Sequence, residues 1–315
     1  MKPQKTLGMC ALLWAGALTA GCSTEQYAKL LVQPDTSFGR TRYFLAPSGE
    51  DLVKAKTISA ARRYKMPGKV DIDVWVIKAK AETPSRGAVL VLHDLSDSKA
   101  GYLPLAKALS QKGFDIVLSD FRAHGRSTGK YVTYGAKEKE DLKRVVDGLL
   151  AEKLVSETVY VFGAGMGASV AIQYAAIDSR VKGVMAVAAC RDFRSFAKRL
   201  HLLMDPIDFD KLLARAGQIA KFKPNDVSAL DDIGKLRCPV LLMHGKLDRK
   251  APYTDSEALY EAANNPKELM LIEVLGHLGM LFAADATFVE GIEKLTSGKI
   301  GQATTRPAET PAPAK

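Results

Sequence analysis

The chain has 315 residues, 47% apolar and 25% charged, the balance of an ordinary globular protein with enough length to bury a full core. Net charge is +10, or +8 without Lys2 and Lys5, and no dense cluster of Lys and Arg stands out. A basic surface of this kind serves solubility, so nucleic acid is not an expected partner.

Lys2 and Lys5 precede an uncharged apolar run from Leu7 to Ala20. That run is shorter than the ~20 residues a membrane-spanning helix needs, and reads as a signal peptide over residues 1–21. It ends in Leu18-Thr19-Ala20-Gly21-Cys22, which resembles the lipobox of bacterial lipoproteins. The resemblance implies cleavage before Cys22 and lipidation of its thiol. Ser23, where an Asp would signal inner-membrane retention, favours the outer membrane or periplasmic face.

Residues 22–64 carry few pattern signals and are expected to be a tether and N-terminal segment. Lys69 to Ile77 alternates polar and apolar, the mark of a half-buried strand, whereas Ala88 to Leu92 is continuously apolar, as in a strand covered on both faces. A helix is expected from Leu103 to Leu109, a strand from Phe114 to Leu118 and a helix from Lys137 to Leu150. Further strands are expected at 158–162, 184–189, 239–243 and 269–274, with helices between them. This alternation predicts an α/β fold with a mostly parallel sheet. The core is expected over 65–190 and 236–297, interrupted at 191–235 by two or three short helices. The Ala-, Thr- and Pro-rich tail, 298–315, is expected to be disordered. Cys190 and Cys238 fall at opposite ends of neighbouring strands, beyond disulfide reach.

The strand ends carry the chemistry. They read His93-Asp94-Leu95-Ser96, Asp120 to Ser127, Gly163-Ala164-Gly165-Met166-Gly167, His244 to Asp248, and Gly276-His277. Together these resemble the α/β-hydrolase superfamily, in the branch of serine aminopeptidases and monoacylglycerol lipase-like enzymes. The resemblance implies an α/β-hydrolase fold with a small helical cap at 191–235. It implies a triad acid at Asp248, a base at His277, oxyanion donors in the Leu95 and Met166 amides, and a nucleophile at position 165. Position 165 is glycine, which offers no attacking atom. Asp94 stands where the family has glycine, and a carboxylate there opposes developing negative charge unless it points away. His124 belongs to a loop motif and is read as structural.

Ser169, Ser96, Ser98 and Cys190 lie near the elbow but lack its exposed geometry. A glycine at 165 leaves space for a water beside His277. Two readings follow: a pseudo-hydrolase that binds a small acyl, ester-like or lipid ligand, or an active esterase, lipase or peptidase-like hydrolase. The second would use the His277–Asp248 dyad with water, or a relocated nucleophile. Phe193, Phe196, Leu200, Leu202, Leu203, Met204, Ile207 and Phe209 of the cap could line an acyl-sized cleft. No metal or cofactor is called for, and the other expected partner is the membrane, through the lipid anchor.

Overall fold

The computed structural model describes residues 23–33, 47–80, 84–201, 204–281 and 285–301. The expected signal peptide, Cys22 and residues 302–315 lie outside them. Among the described residues, eight strands form a single sheet in the order β1-β2-β4-β3-β5-β6-β7-β8. The strands are β1 (Ala60–Met66), β2 (Val70–Ile77), β3 (Ala88–Leu92), β4 (Asp115–Ser119), β5 (Val159–Ala164), β6 (Val181–Val187), β7 (Val240–Gly245) and β8 (Lys267–Ile272). β2 pairs antiparallel with β1 and β4, and every other pairing is parallel.

Burial explains the sequence patterns. β3 and β4 lie inside the sheet with every residue buried, as a strand covered on both faces requires. β1 reads Ala-Ala-Arg-Arg-Tyr-Lys-Met and is only partly buried, so it has no alternation to betray it. As the edge strand it carries Arg62, Arg63 and Lys65, charges that discourage pairing with another chain. Gly49–Lys54 (α2) and Tyr253–Ala262 (α9) are further helices; Leu103–Gln111 (α3) and Asp285–Thr296 (α11) meet one another, while Glu138–Ala151 (α4) packs with Met166–Ala175 (α5). Their buried residues fall into two clusters, one rich in α4 and α5, the other in α3 and α11.

The segment expected to be a tether begins as a helix. Thr24–Val32 (α1) starts at a capping box in which Ser23 and Gln26 satisfy each other's backbone amides. It buries Ala28, Leu31 and Val32 and packs on the cap helix Pro206–Ala220 (α7), with Glu25 paired to Arg215. The Tyr134 hydroxyl donates to the Leu31 carbonyl at 2.6 Å.

The cap comprises Phe193–Leu200 (α6), α7, a 3₁₀ turn at Pro224–Asp226 and Ala229–Ile233 (α8). Phe193, Phe196 and Leu200 face a cavity, whereas Phe209 is buried in the core and Met204 packs against it. Leu202, Leu203 and the side chain of Ile207 lie outside the described set. Ile300 is buried, so the first residues of the expected tail pack back onto the core.

Candidate active site

The site follows from strand register. β3 and β5 are parallel neighbours with Leu92 opposite Gly163. Two residues further on, at the carboxyl edge of the sheet, Asp94 and Gly165 therefore stand side by side. This edge is where α/β proteins gather their ligand sites. Gly165 has φ +55° and ψ −119° and caps α5, the sharp strand-to-helix turn of a nucleophile elbow. The flanking glycines are needed for contact: a Cβ at Gly163 would lie 2.2 Å from the Gly167 carbonyl oxygen, and one at Gly167 2.4 Å from that of Leu92.

Asp94 points into the site, not away from it. Its Oδ1 accepts the Met166 N–H at 2.9 Å. A Cβ built on Gly165 would lie 1.9 Å from the same oxygen. The carboxylate thus fills both the place of an elbow side chain and the amide expected to receive an oxyanion. The water space expected beside Gly165 is taken by Oδ1. Burial pushes the Asp94 carboxyl up, but His277 and the amides of Met166 and Leu95 prevail and bring it to about 2.

His277 opens the short helix His277–Leu281 (α10) after β8. Its Nδ1 lies 2.6 Å from Asp248 Oδ2, a short hydrogen bond. Its Nε2 faces Asp94 Oδ2 at 3.6 Å, within ion-pair range but beyond a hydrogen bond. Burial alone would depress the imidazole; the two carboxylates reverse this and raise it to about 9. Asp248 follows β7 and is buried, with Oδ1 accepting the amides of Lys250 at 2.8 Å and Ala251 at 2.9 Å. Burial opposes its charge, yet His244, His277 and the Ala251 amide hold it well below the usual carboxylate range. The structure therefore brings together Gly165, Asp94, His277 and Asp248, with an imidazole between two carboxylates.

The supporting histidines have other partners. His93 is fully buried; its Nδ1 donates to the Asp94 carbonyl at 2.7 Å and its Nε2 accepts the Phe121 N–H at 3.1 Å. That fixes one neutral tautomer and the direction in which Asp94 leaves β3, and burial lowers the imidazole to about 4. His124 bridges the carbonyls of Arg122 at 2.9 Å and Leu95 at 2.7 Å, tying two loops together away from the cavity. His244, which the sequence offers only as a strand-end neighbour of glycine, lies 3.4 Å from Asp248 and contacts Ser256 at 2.6 Å.

Among the described residues near the site, no serine or cysteine is poised to attack. Ser169 Oγ donates to the Cys190 carbonyl at 2.8 Å and accepts its amide at 3.0 Å, so it pins α5 to the end of β6. Burial pushes the Cys190 thiol up to about 12, leaving no thiolate at neutral pH. Ser96 borders the cavity, and the buried Ser98 does not. Cys190 and Cys238 are both free thiols.

A cavity of about 310 Å³ opens beside Asp94 and His277. Apolar walls come from Leu95, Met166, Phe193, Phe196, Leu200 and Val227. Arg249 and Lys250 border it and are exposed. Two further lining residues hold buried polar atoms with no hydrogen-bond partner, Gln173 Oε1 and Arg199 Nε, one acceptor and one donor.

Residues 83–224 match the family described as Serine aminopeptidase, S33, a span that includes the elbow but ends before Asp248 and His277. The uncharacterized protein YqkD of Bacillus subtilis is 29% identical over 247 residues, covering 71% of this chain and 79% of YqkD. Among solved structures, the Pyrococcus furiosus esterase Pf2001 superposes with a TM-score of 0.61 at 21% identity, covering 80% of this chain and 96% of that one. The α/β hydrolase GrgF from Penicillium gives 0.62 at 19% identity, over 76% of this chain and 98% of GrgF. Sheet order, strand-end site and these likenesses agree that the chain has the α/β-hydrolase fold.

Proposed function

We propose that the protein is an envelope-anchored pseudo-serine hydrolase that holds a small acyl or ester-like ligand in the cavity under its cap. The observation that carries this reading is the Asp94 carboxylate seated against Gly165 and the Met166 amide. Serine acyl transfer needs an attacking hydroxyl and a vacant pair of amides for the tetrahedral oxyanion. Here the hydroxyl is absent, one amide is engaged, and an anion stands where negative charge would develop. The apolar cavity walls and the resemblance to proteins named as esterases support an acyl-like ligand. The charged start, apolar run and Cys22 support the lipid anchor, whose test is membrane fractionation of Cys22→Ser.

A fluorophosphonate probe tests the site. Wild type is expected to remain unlabelled at every serine, while Asp94→Gly combined with Gly165→Ser is expected to label at position 165. That pair frees the Met166 amide and places a hydroxyl beside His277, which already has its acid partner. Labelling of any serine in the wild type, mapped by mass spectrometry, overturns the reading.

A further inference from the structure

The cavity wall carries two polar groups that Asp94 and His277 do not engage. Gln173 lies on α5 beyond Gly165, roughly 12 Å away at the ~1.5 Å rise of a helix. It lines the cavity and is 1% exposed. Its amide nitrogen donates to the Tyr134 carbonyl at 2.9 Å and to the Ser169 carbonyl at 3.2 Å. Those two acceptors fix which end of the amide is oxygen, because the reversed amide would set Oε1 against two carbonyl oxygens. Oε1 is the atom left over, buried and without a hydrogen-bond partner.

Arg199 of α6 is the second group. Its Nη2 pairs with Asp255 Oδ2 at 3.0 Å and donates to Cys190 Sγ at 3.3 Å, while its Nε is buried without a partner. One chain of contacts joins the two residues. Gln173 holds the Ser169 carbonyl, Ser169 Oγ holds the amide and carbonyl of Cys190, and Cys190 Sγ meets Arg199. An open acceptor and an open donor thus stand on connected residues of a largely apolar cavity. A buried polar atom with no partner is costly, so a guest that answers both is favoured over one that answers neither.

Charge selects a neutral guest. Asp94 faces His277, Arg199 is paired with Asp255, and Asp192 with Arg191. The remaining cations at the cavity, Arg249 and Lys250, stand exposed at its border. A carboxylate drawn inside would meet Asp94 and Asp192, and the partly buried cation nearest it, Arg199, is already neutralised. An ester is neutral but supplies acceptors only. A primary carboxamide is neutral and carries an acceptor and a donor on one carbon.

We propose that the cavity selects acyl ligands with a primary carboxamide head, whose carbonyl accepts from Arg199 Nε and whose N–H donates to Gln173 Oε1. The proposal rests on the reading that an acyl ligand enters this cavity, and it names the head group. The ligand's alkyl chain lies against the apolar walls.

The test is isothermal titration of the full-length protein with hexanamide, methyl hexanoate and hexanoate. Hexanamide is expected to bind at least about tenfold more tightly than either of the others, since the ester leaves Gln173 Oε1 without a donor. Gln173→Met, with its melting temperature checked, keeps the length of the side chain and removes the acceptor. It is expected to weaken hexanamide about tenfold and to leave methyl hexanoate unchanged. Arg199→Lys keeps a charge opposite Asp255 and removes the Nε donor. It is expected to weaken hexanamide and methyl hexanoate alike, because both carbonyls use that donor. Equal wild-type affinity for amide and ester, tighter binding of hexanoate, or an equal loss of both ligands in Gln173→Met overturns the proposal. The wild-type comparison decides even where Gln173→Met folds poorly. Binding of all three without preference overturns the head-group inference alone, and binding of none overturns the acyl-ligand reading with it.

Discussion

A methyl group on Gly165 would lie 1.9 Å from Asp94 Oδ1, on backbone at φ +55°. A side chain at an elbow needs open space beside it; here that space holds a carboxylate. Positive φ costs a non-glycine residue about 1–3 kcal/mol, and overpacking a filled site adds about 1–3 kcal/mol. Gly165→Ala is therefore expected to destabilise the protein by roughly 2–6 kcal/mol, read from the denaturant midpoint. In an Asp94→Gly background only the backbone part remains, so the same change should cost about 1–3 kcal/mol. If the two changes are additive within ~0.5 kcal/mol, positions 94 and 165 do not share a space. The sequence displays both departures, a glycine at the elbow and an aspartate after His93, but as separate oddities. Their coupling depends on the register that sets Leu92 opposite Gly163, a long-range pairing that no local pattern encodes.

At the scale of elements, what reads well in the sequence is what burial imposes on both faces of a segment. β3, β4 and the elbow strand β5 carry almost nothing but apolar and small residues; β3 has the expected bounds and the other two differ by one or two residues. β1 escapes because an edge strand tolerates arginine and lysine, and α1 because nine residues give too little periodicity to stand out. The eight cap apolar residues could not be divided by sequence into cavity wall and packing, since both uses demand the same residue types. α1 has a consequence for anchoring. Ser23 caps this helix and Cys22 immediately precedes Ser23, while α1 packs on α7 of the cap. A lipid on Cys22 would thus hold the cap close to the bilayer, without a long spacer. Cys22→Ser is expected to move the protein from the membrane to the soluble fraction with its melting temperature unchanged, because the packed face of α1 consists of Ala28, Leu31 and Val32. Continued membrane association of that variant removes the anchor.

Across the whole molecule, the site couples stability to pH through three charges in a row, the buried Asp94 and Asp248 and the half-buried His277 between them. His277 is raised from the ordinary imidazole value of about 6.5 to about 9. Its contribution is complete below about 6.5 and is lost as pH rises through about 9, because the unfolded chain then holds fewer protons than the folded one. Asp94 is lowered to about 2, so its contribution is present above the usual carboxylate value and is lost as pH falls through about 2. Asp248 shifts in the same direction and adds to the acid limb. The site's contribution should therefore be greatest between about pH 4 and 6.5, where both carboxylates are ionised and the imidazole protonated. The thiols of Cys190, pushed to about 12, and Cys238, pushed to about 11, act at higher pH than His277 does. Between pH 6.5 and 9 the imidazole should thus dominate the slope, worth up to about 3 kcal/mol at 1.36 kcal/mol per pKa unit. Chemical denaturation of wild type and His277→Gln across this range checks the claim. Wild type should lose stability steadily and the variant should stay level, since glutamine has no proton to release. Parallel curves would mean that the imidazole does not carry its proton between the two carboxylates, and the charge pattern drawn for the site would be wrong.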